Sequence, residues 1–206
     1  KIQEELEGNN AGIRKLPGTN LINDITGEII YIPPDNEETI LKLLNNLEKY
    51  INEDDDVDYL IKMAIIHYQF ESIHPFYNGN GRTGRILNVL YLILKGLINN
   101  PILYLSSYII KNKTKYYELL QNVRTLNDWE NWIVFILKSI EITSIETLNL
   151  IKSIIELMNE TMEYCKLKLP KNIYSKELVE LLFYQPYTKI EYLVNAGIGE
   201  RRTASK

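Results

Sequence analysis

His74-Pro75-Phe76-Tyr77-Asn78-Gly79-Asn80-Gly81-Arg82-Thr83-Gly84-Arg85 is the stretch on which the reading of this chain turns. It runs directly into an apolar segment, Ile86 to Ile98, that reads as a buried helix. The glycines therefore fall where a helix N-terminus directs free backbone N–H groups, and the positive end of its dipole, at an anion. Gly79 and Gly81, with Asn80 between them, leave room for those N–H groups to approach phosphate oxygens closely. Arg82 and Arg85 are three residues apart and share a helix face, and their guanidinium forks suit phosphate oxygens. His74 opens the loop with an imidazole suited to taking a proton from an attacking hydroxyl. Because Pro75 follows it, extended backbone is expected at His74. A phosphate-handling site with its own general base is the layout these residues describe.

Working outward, Val57 to Ile73 reads as the helix that leads into the loop, with His67 as a structural histidine. Glu37 to Asn52 places Ile40, Leu43, Leu44 and Leu47 at helical spacing. Residues 2 to 8 form the end of a helix stopped by Gly8. Leu21-Ile22-Asn23 and Glu28-Ile29-Ile30-Tyr31-Ile32 flank the turn Asp24-Ile25-Thr26-Gly27, a β-hairpin closed by Pro33-Pro34. Ser107 to Arg124 reads as one helix, and Asp128 to Lys166 as a helical stretch too long to be unbroken. Trp129, Trp132, Ile133 and Phe135 read as core, and Asp54-Asp55-Asp56 as a solvated helix cap. Past Pro170, Ser175 to Phe183 and Thr188 to Ala196 are short helical runs. Gly197-Ile198-Gly199 then leads to Arg201-Arg202, a spacing that resembles a helix-turn-helix. The fold class expected is all-α with one small hairpin. Its divisions are residues 1–140, a connecting helix at 141–169 and a partial helix-turn-helix or winged-helix segment at 170–206.

Composition narrows the function classes. With 206 residues and 45% hydrophobic content, the chain can bury a real core, which excludes a disordered segment. A net charge of −4 gives no general attraction to nucleic acid or anionic membrane. The single cysteine, Cys165, excludes an intrachain disulfide framework and a cysteine zinc cluster, and reads as a packed small hydrophobe. The longest apolar run is interrupted by Asn88 and Lys95 and is too short to span a bilayer. The polar, acidic first residues do not form a signal peptide. A cytoplasmic protein without membrane attachment is expected. The absence of an initial Met suggests a piece of a longer polypeptide.

The opening stretch closely resembles the Fic-domain signature HPFx(D/E)GNGRxxR and departs from it at one fixed position, Asn78, where the family has an acidic residue. The resemblance covers roughly residues 1 to 140 and implies a Fic (Fido) helical bundle. It also implies transfer of AMP from ATP to a Ser, Thr or Tyr hydroxyl of a target protein, or of the chain itself, with Mg²⁺ or Mn²⁺. By the same resemblance His74 is the catalytic base and Phe76 a buried anchor. Asn78, Gly79, Asn80, Gly81, Arg82 and Arg85 would hold ATP and its phosphates, and Tyr116 and Tyr117 would border the adenine. Ile30, Tyr31 and Ile32 match the flap that docks an extended target segment by β-augmentation. The family's acidic residue helps hold the metal; Asn78 keeps a carbonyl oxygen but lacks the charge, so a weakened metal ligand is expected there. Gly81 favours AMP transfer over the phosphoryl transfer of the related death-on-curing toxins, whose loop has a larger residue in its place. Leu6-Glu7-Gly8-Asn9 looks like the tail of the family's inhibitory motif. Gln3 stands at its leading position and Glu7 lies only a short step before the flap, so Glu7 reads as helix-end surface charge. The alternative function is a nucleotide-binding regulatory module with weakened catalysis, binding DNA or protein through its C-terminal segment. The oligomeric state is not legible.

Overall fold

The computed structural model describes residues 1–22 and 27–204, with side chains described up to Arg202. The chain is helical apart from one hairpin, as expected, and divides into two compact units, Lys1–Ile145 and Glu146–Lys206.

The first unit is built around α3 (Tyr59–Ile73), a helix apolar enough to be buried on several sides through Met63, Ala64, Ile66, Phe70 and Ile73. Asp58 caps it, its carboxylate accepting from the Leu60 and Ile61 N–H groups. Ahead of it, α2 (Glu37–Asn52) starts at Asn36, whose side chain accepts from Thr39 N–H at 2.8 Å, and turns Ile40 and Leu47 inward. Behind it, α4 (Asn80–Leu94) lies along α3, with α5 (Leu105–Lys111) and α6 (Lys113–Leu126) following. The N-terminal part of α7 (Trp129–Lys168) closes the core. Trp132 is fully buried there and its indole N–H donates to the Ala64 carbonyl at 2.9 Å.

Three sequence expectations change. Ser107 to Arg124 is two helices, because Asn112 leaves helical geometry at φ −119° and its side chain donates back to the Tyr108 carbonyl. The expected break after Asp128 is absent: α7 is continuous over Trp129–Lys168, a span containing neither glycine nor proline. The Ile86 to Ile98 run is buried on one side only, since Val89, Tyr91 and Leu92 face the core while Leu90 and Leu94 are exposed.

At the N-terminus α1 (Ile2–Glu7) ends on Gly8 in the left-handed conformation, φ 63°. The hairpin pairs β1 (Leu21–Ile22) with β2 (Ile29–Tyr31) antiparallel, Leu21 opposite Tyr31 and Ile22 opposite Ile29. The expected turn residues Asp24, Ile25 and Thr26 lie outside the described residues. Asp55, from the acidic run, pairs with the buried Lys62 at 2.9 Å. In the second unit α8 (Lys176–Tyr184), capped by Ser175, is followed by α9 (Ile190–Asn195) and α10 (Arg201–Ala204), close to the helical runs expected there. Among the described residues no helix is long and apolar enough to cross a membrane.

Candidate active site

The loop between α3 and α4 is fastened before any ligand arrives. Asn80 is buried and its side chain grips the backbone of Phe76 twice: Oδ1 accepts from the Phe76 N–H at 2.8 Å, and Nδ2 donates to the Phe76 carbonyl at 2.7 Å. This Asn80 amide therefore fixes the loop, with its oxygen and one of its two N–H donors engaged. Gly79 caps α4 with φ 80°, in the left-handed region that glycine enters without penalty. The free N–H groups of the first turn of α4 follow directly, at the positive end of that helix.

His74 caps α3 in a left-handed conformation, φ 48° and ψ 58°, where an extended one was expected from Pro75. A non-glycine residue there costs about 1–2 kcal/mol, and its surroundings hold it. The His74 N–H donates to Phe70 at 3.0 Å, and the His74 carbonyl accepts from Arg14 Nε at 2.7 Å. Its Nδ1 is buried without a hydrogen-bond partner. Burial, then the positive charges of Arg14 and Arg124, lower the imidazole pKa to about 4, with the Glu71 backbone carbonyl working the other way. The ring is thus neutral at pH 7 and able to accept a proton.

The two signature arginines diverge. Arg82 is half exposed and paired with the carboxylate of Glu7. That carboxylate also lies over Gly79, where a Cβ would meet Glu7 Oε1 at 2.6 Å. Glu7 is only 14% exposed, so the surface-charge reading fails. The Gly8 cap ends α1 beside the loop and leaves the acid on the anion-attracting end of α4. Arg85 has a different partner, its Nε donating to Ser106 Oγ at 2.7 Å, and its Nη1 would stand 3.0 Å from a Cβ at Gly81. Behind the loop Glu71 is buried with Oε1 unpartnered, and burial raises its pKa to about 7 against the pull of Arg85 and Arg124. It crowds Gly84, where a Cβ would stand 2.7 Å from Glu71 Oε1 and 3.1 Å from Phe70 Cδ1. His67 is core, as expected: fully buried, stacked on Trp132 and bonded through Nε2 to the Tyr116 hydroxyl at 3.0 Å.

The remaining expected site residues are divided between surface and core. Asn78 is exposed on the loop. Tyr116 is buried with its hydroxyl engaged, so it backs the site from the core, whereas Tyr117 is 47% exposed. In the hairpin, Ile30 is half-buried and Ile32 exposed. Tyr31 is an anchor, its hydroxyl donating to the Ser72 carbonyl at 2.9 Å and its ring 3.7 Å from the Arg124 guanidinium. Glu7, Arg14, Glu71 and Arg124 escaped the sequence reading of the site. Only Glu7 had a local signal, the E-G pair at a helix end.

A base at the end of one helix, clasped to a glycine-capped helix start that draws an anion, is the chemistry in view. A model of the Fic/DOC family matches residues 4–92. Over those residues the chain resembles a Fic/DOC domain. A second model, protein adenylyltransferase SoFic-like, C-terminal domain, matches residues 157–206. Among named relatives, this chain is 34% identical over 79 residues to probable protein adenylyltransferase aq_aa38 of Aquifex aeolicus, covering 38% of this chain and 22% of that protein. It is 28% identical over 110 residues to protein adenylyltransferase fic-1 of Caenorhabditis elegans, covering 52% and 20%. A Fido domain-containing protein of Dictyostelium discoideum is 38% identical over 71 residues, covering 34% and 49%. The chain thus spans about half or less of the length of the relatives it matches. A crystal structure of a Fic family protein from Desulfovibrio desulfuricans superposes with a TM-score of 0.58 at 20% identity, over 93% of this chain and 52% of that one. This likeness confirms the helical Fic/DOC fold.

For a metal, the Fic/DOC loop offers the Asn78 carbonyl but no carboxylate of its own. Among the described residues no group of three or more His, Cys, Asp or Glu is placed to hold one. An anion does fit: the Glu7 carboxylate already rests against Arg82 and over Gly79.

Proposed function

We propose that the chain is a protein adenylyltransferase that moves AMP from ATP to a hydroxyl of a protein. The observation that supports this reading is the clasp of Asn80 on Phe76, which fixes the loop running from His74 to the start of α4. The names of the relatives point the same way. In this reading the α4 N-terminus and Arg82 hold phosphate oxygens, with Arg85 near the end of the phosphate chain and Tyr117 near the base. The acceptor oxygen forms a bond to the α-phosphorus as the bond from that phosphorus to the β-bridging oxygen breaks. His74 takes the hydroxyl proton, and pyrophosphate leaves with the electron pair. Phosphate charge beside the ring raises the affinity of His74 for that proton once nucleotide is bound. Positioning and charge stabilisation supply most of the rate.

Mg²⁺ or Mn²⁺ would supply charge neutralisation on the phosphates, with the Asn78 carbonyl as the chain's contribution. Ser, Thr or Tyr acceptors are proposed, on a docked segment along the exposed edge near Ile30 and Ile32 or on the chain itself. The resting state is one in which Glu7 holds the place of an anion. Residues 1–140 form the transferase domain in this proposal, 141–169 the connecting helix and 170–206 a helix-turn-helix appendage. Duplex DNA is a second partner to test through Arg201 and Arg202. A cytoplasmic setting, where ATP is abundant and a lone cysteine ordinary, goes with this activity.

The test incubates the chain with ATP labelled at the α-phosphate and Mg²⁺ or Mn²⁺, beside His74→Ala and Asn78→Asp. Label on protein that His74→Ala abolishes and Asn78→Asp enhances is expected. Label that appears only from the γ-phosphate, with a phosphate-sized mass increase, would replace AMP transfer with phosphoryl transfer.

A further inference from the structure

Arg14 has no measurable exposure, yet among the described residues no carboxylate pairs with it. Its guanidinium is spent on backbone carbonyls. Nε donates to His74 at 2.7 Å, and Nη2 donates to Pro34 at 2.7 Å and to Ile73 at 3.5 Å, while Nη1 is buried without a partner. Burying a cation this way is expensive, and a neutral side chain of similar size would fill the same space. The carbonyls it holds belong to two parts of the site that are far apart in sequence. Ile73 and His74 end α3 at the base, and Pro34 ends the segment that leaves the hairpin.

The backbone around Arg14 extends the same bridge. Ile13 pairs with Phe76 as an isolated antiparallel bridge, the Arg14 N–H donates to the Pro75 carbonyl at 2.9 Å, and the Lys15 and Leu16 N–H groups donate to the Tyr77 hydroxyl at 3.1 and 3.2 Å. Residues 13–16 thus run alongside residues 74–77. At the centre of that contact is His74, among the described residues the one that is left-handed although it is neither glycine nor asparagine. A charge-assisted bond to the His74 carbonyl fixes the orientation of the peptide that follows the base.

We propose that Arg14 is a positioning residue of the transfer reaction, its guanidinium locking the His74 carbonyl to the Pro34 carbonyl so that the base and the hairpin that presents the acceptor keep one spacing. The inference rests on the adenylyl-transfer reading for its catalytic consequence, and on the hydrogen bonds alone for its structural one. Arginine is specified because one planar fork reaches both carbonyls at once, whereas a lysine ammonium is a single point donor. A misplacement of about 1 Å between base and acceptor costs on the order of 10²-fold in rate.

The experiment compares wild type, Arg14→Met and Arg14→Lys by two readouts. The first is the titration of the two histidine rings by ¹⁵N NMR, with His67 as internal control; Arg14 and Arg124 are the charges that act on the His74 ring. The second is single-turnover incorporation of α-labelled AMP into the chain. In Arg14→Met the His74 midpoint is expected to rise by about one pH unit as a neighbouring cation is lost, with His67 unmoved and transfer down about 10–100-fold. In Arg14→Lys the midpoint is expected to stay low while transfer still falls, and this arm decides if Arg14→Met does not fold. Wild-type transfer in both variants with an unmoved His74 midpoint overturns the proposal, as does a change in His67 equal to that in His74, which marks general loosening. Absence of label in the wild type counts against adenylyl transfer instead, and the His74 midpoints then decide on Arg14.

Discussion

Replacing Glu7 with glutamine should strengthen nucleotide binding, by an amount set by what the carboxylate now does. The acid pairs with Arg82 and lies over the Gly79 cap, so a phosphate chain must displace it to reach the start of α4. A charge-assisted hydrogen bond contributes about 1.5–3 kcal/mol when shielded, and an exposed ion pair 0–1 kcal/mol. Glu7 is 14% exposed and Arg82 53%, which puts the pair between these limits, at about 1–2 kcal/mol. Glu7→Gln keeps the shape and removes the charge, so the gain expected is roughly 5–30-fold in ATP affinity. Calorimetric titration with a non-hydrolysable ATP analogue, with and without Mg²⁺, measures it. Glu5→Gln on the exposed side of α1 controls for net charge and should shift affinity less than twofold, since exposed charges are screened at ordinary salt. Equal affinities for wild type and a folded Glu7→Gln would refute the reasoning and return Glu7 to an ordinary surface acid.

Gly84→Ala should destabilise the domain by about 1–3 kcal/mol through overpacking, because its Cβ meets Glu71, Phe70 and His67 at the α3–α4 crossing; Gly81→Ala, whose close contact is the end of the Arg85 side chain, with Glu71 at ordinary contact distance, should cost less in a denaturant titration. Asn80→Ala leaves the Phe76 N–H and carbonyl without the partners they have now and should cost about 2 kcal/mol, with amide exchange of Phe76 accelerated. Stability should rise with pH between about 4.5 and 5.5: burial holds His67 (to about 3) and His74 (to about 4) deprotonated in the fold, while Glu71 (to about 7) is held protonated. In that window the unfolded chain binds two imidazole protons and the fold one carboxyl proton, a net slope of about 1.4 kcal/mol per pH unit; Glu71→Gln should roughly double it in urea unfolding at successive pH values.

What could be read from the sequence was whatever local pattern determines. The signature placed the glycine cap and the helix start of α4 because backbone N–H groups, glycine bulk and helix polarity are local matters. The hairpin, α1 with its Gly8 stop and the core tryptophans followed from spacing for the same reason. What stayed hidden depends on contacts between segments far apart in the chain. Arg14 is sixty residues from His74 and carries no motif of its own, yet its bond helps keep the base left-handed where Pro75 alone favours an extended backbone. Glu7 looked like surface charge because nothing in Leu6-Glu7-Gly8 says that α1 ends beside Gly79. Tyr116 and Tyr117 are adjacent in sequence, but helix geometry turns one to the core and the other outward. The continuity of α7 shows the opposite error: length argued for a break, while the absence of glycine and proline allowed none.

The departure at Asn78 and the docking of Glu7 belong to one electrostatic arrangement. Asn78 adjoins Gly79, over which the Glu7 carboxylate lies. An aspartate at position 78 would set a second negative charge a few ångströms from the first. Two neighbouring charges of one sign in a solvated setting repel by roughly 0.5–1 kcal/mol. On the adenylyl-transfer reading, the neutral Asn78 would favour the Glu7-docked state and serve as a weaker metal ligand, and both effects would suppress nucleotide binding. Asn78→Asp should relieve both, so part of the benefit of Glu7→Gln is already realised in that background. Measured as a double-mutant cycle on binding of the Mg²⁺-loaded ATP analogue, the gain from Glu7→Gln should be about threefold smaller with Asp at position 78 than with Asn. Additive gains would show that the two positions do not sense each other, and that Asn78 affects the metal alone.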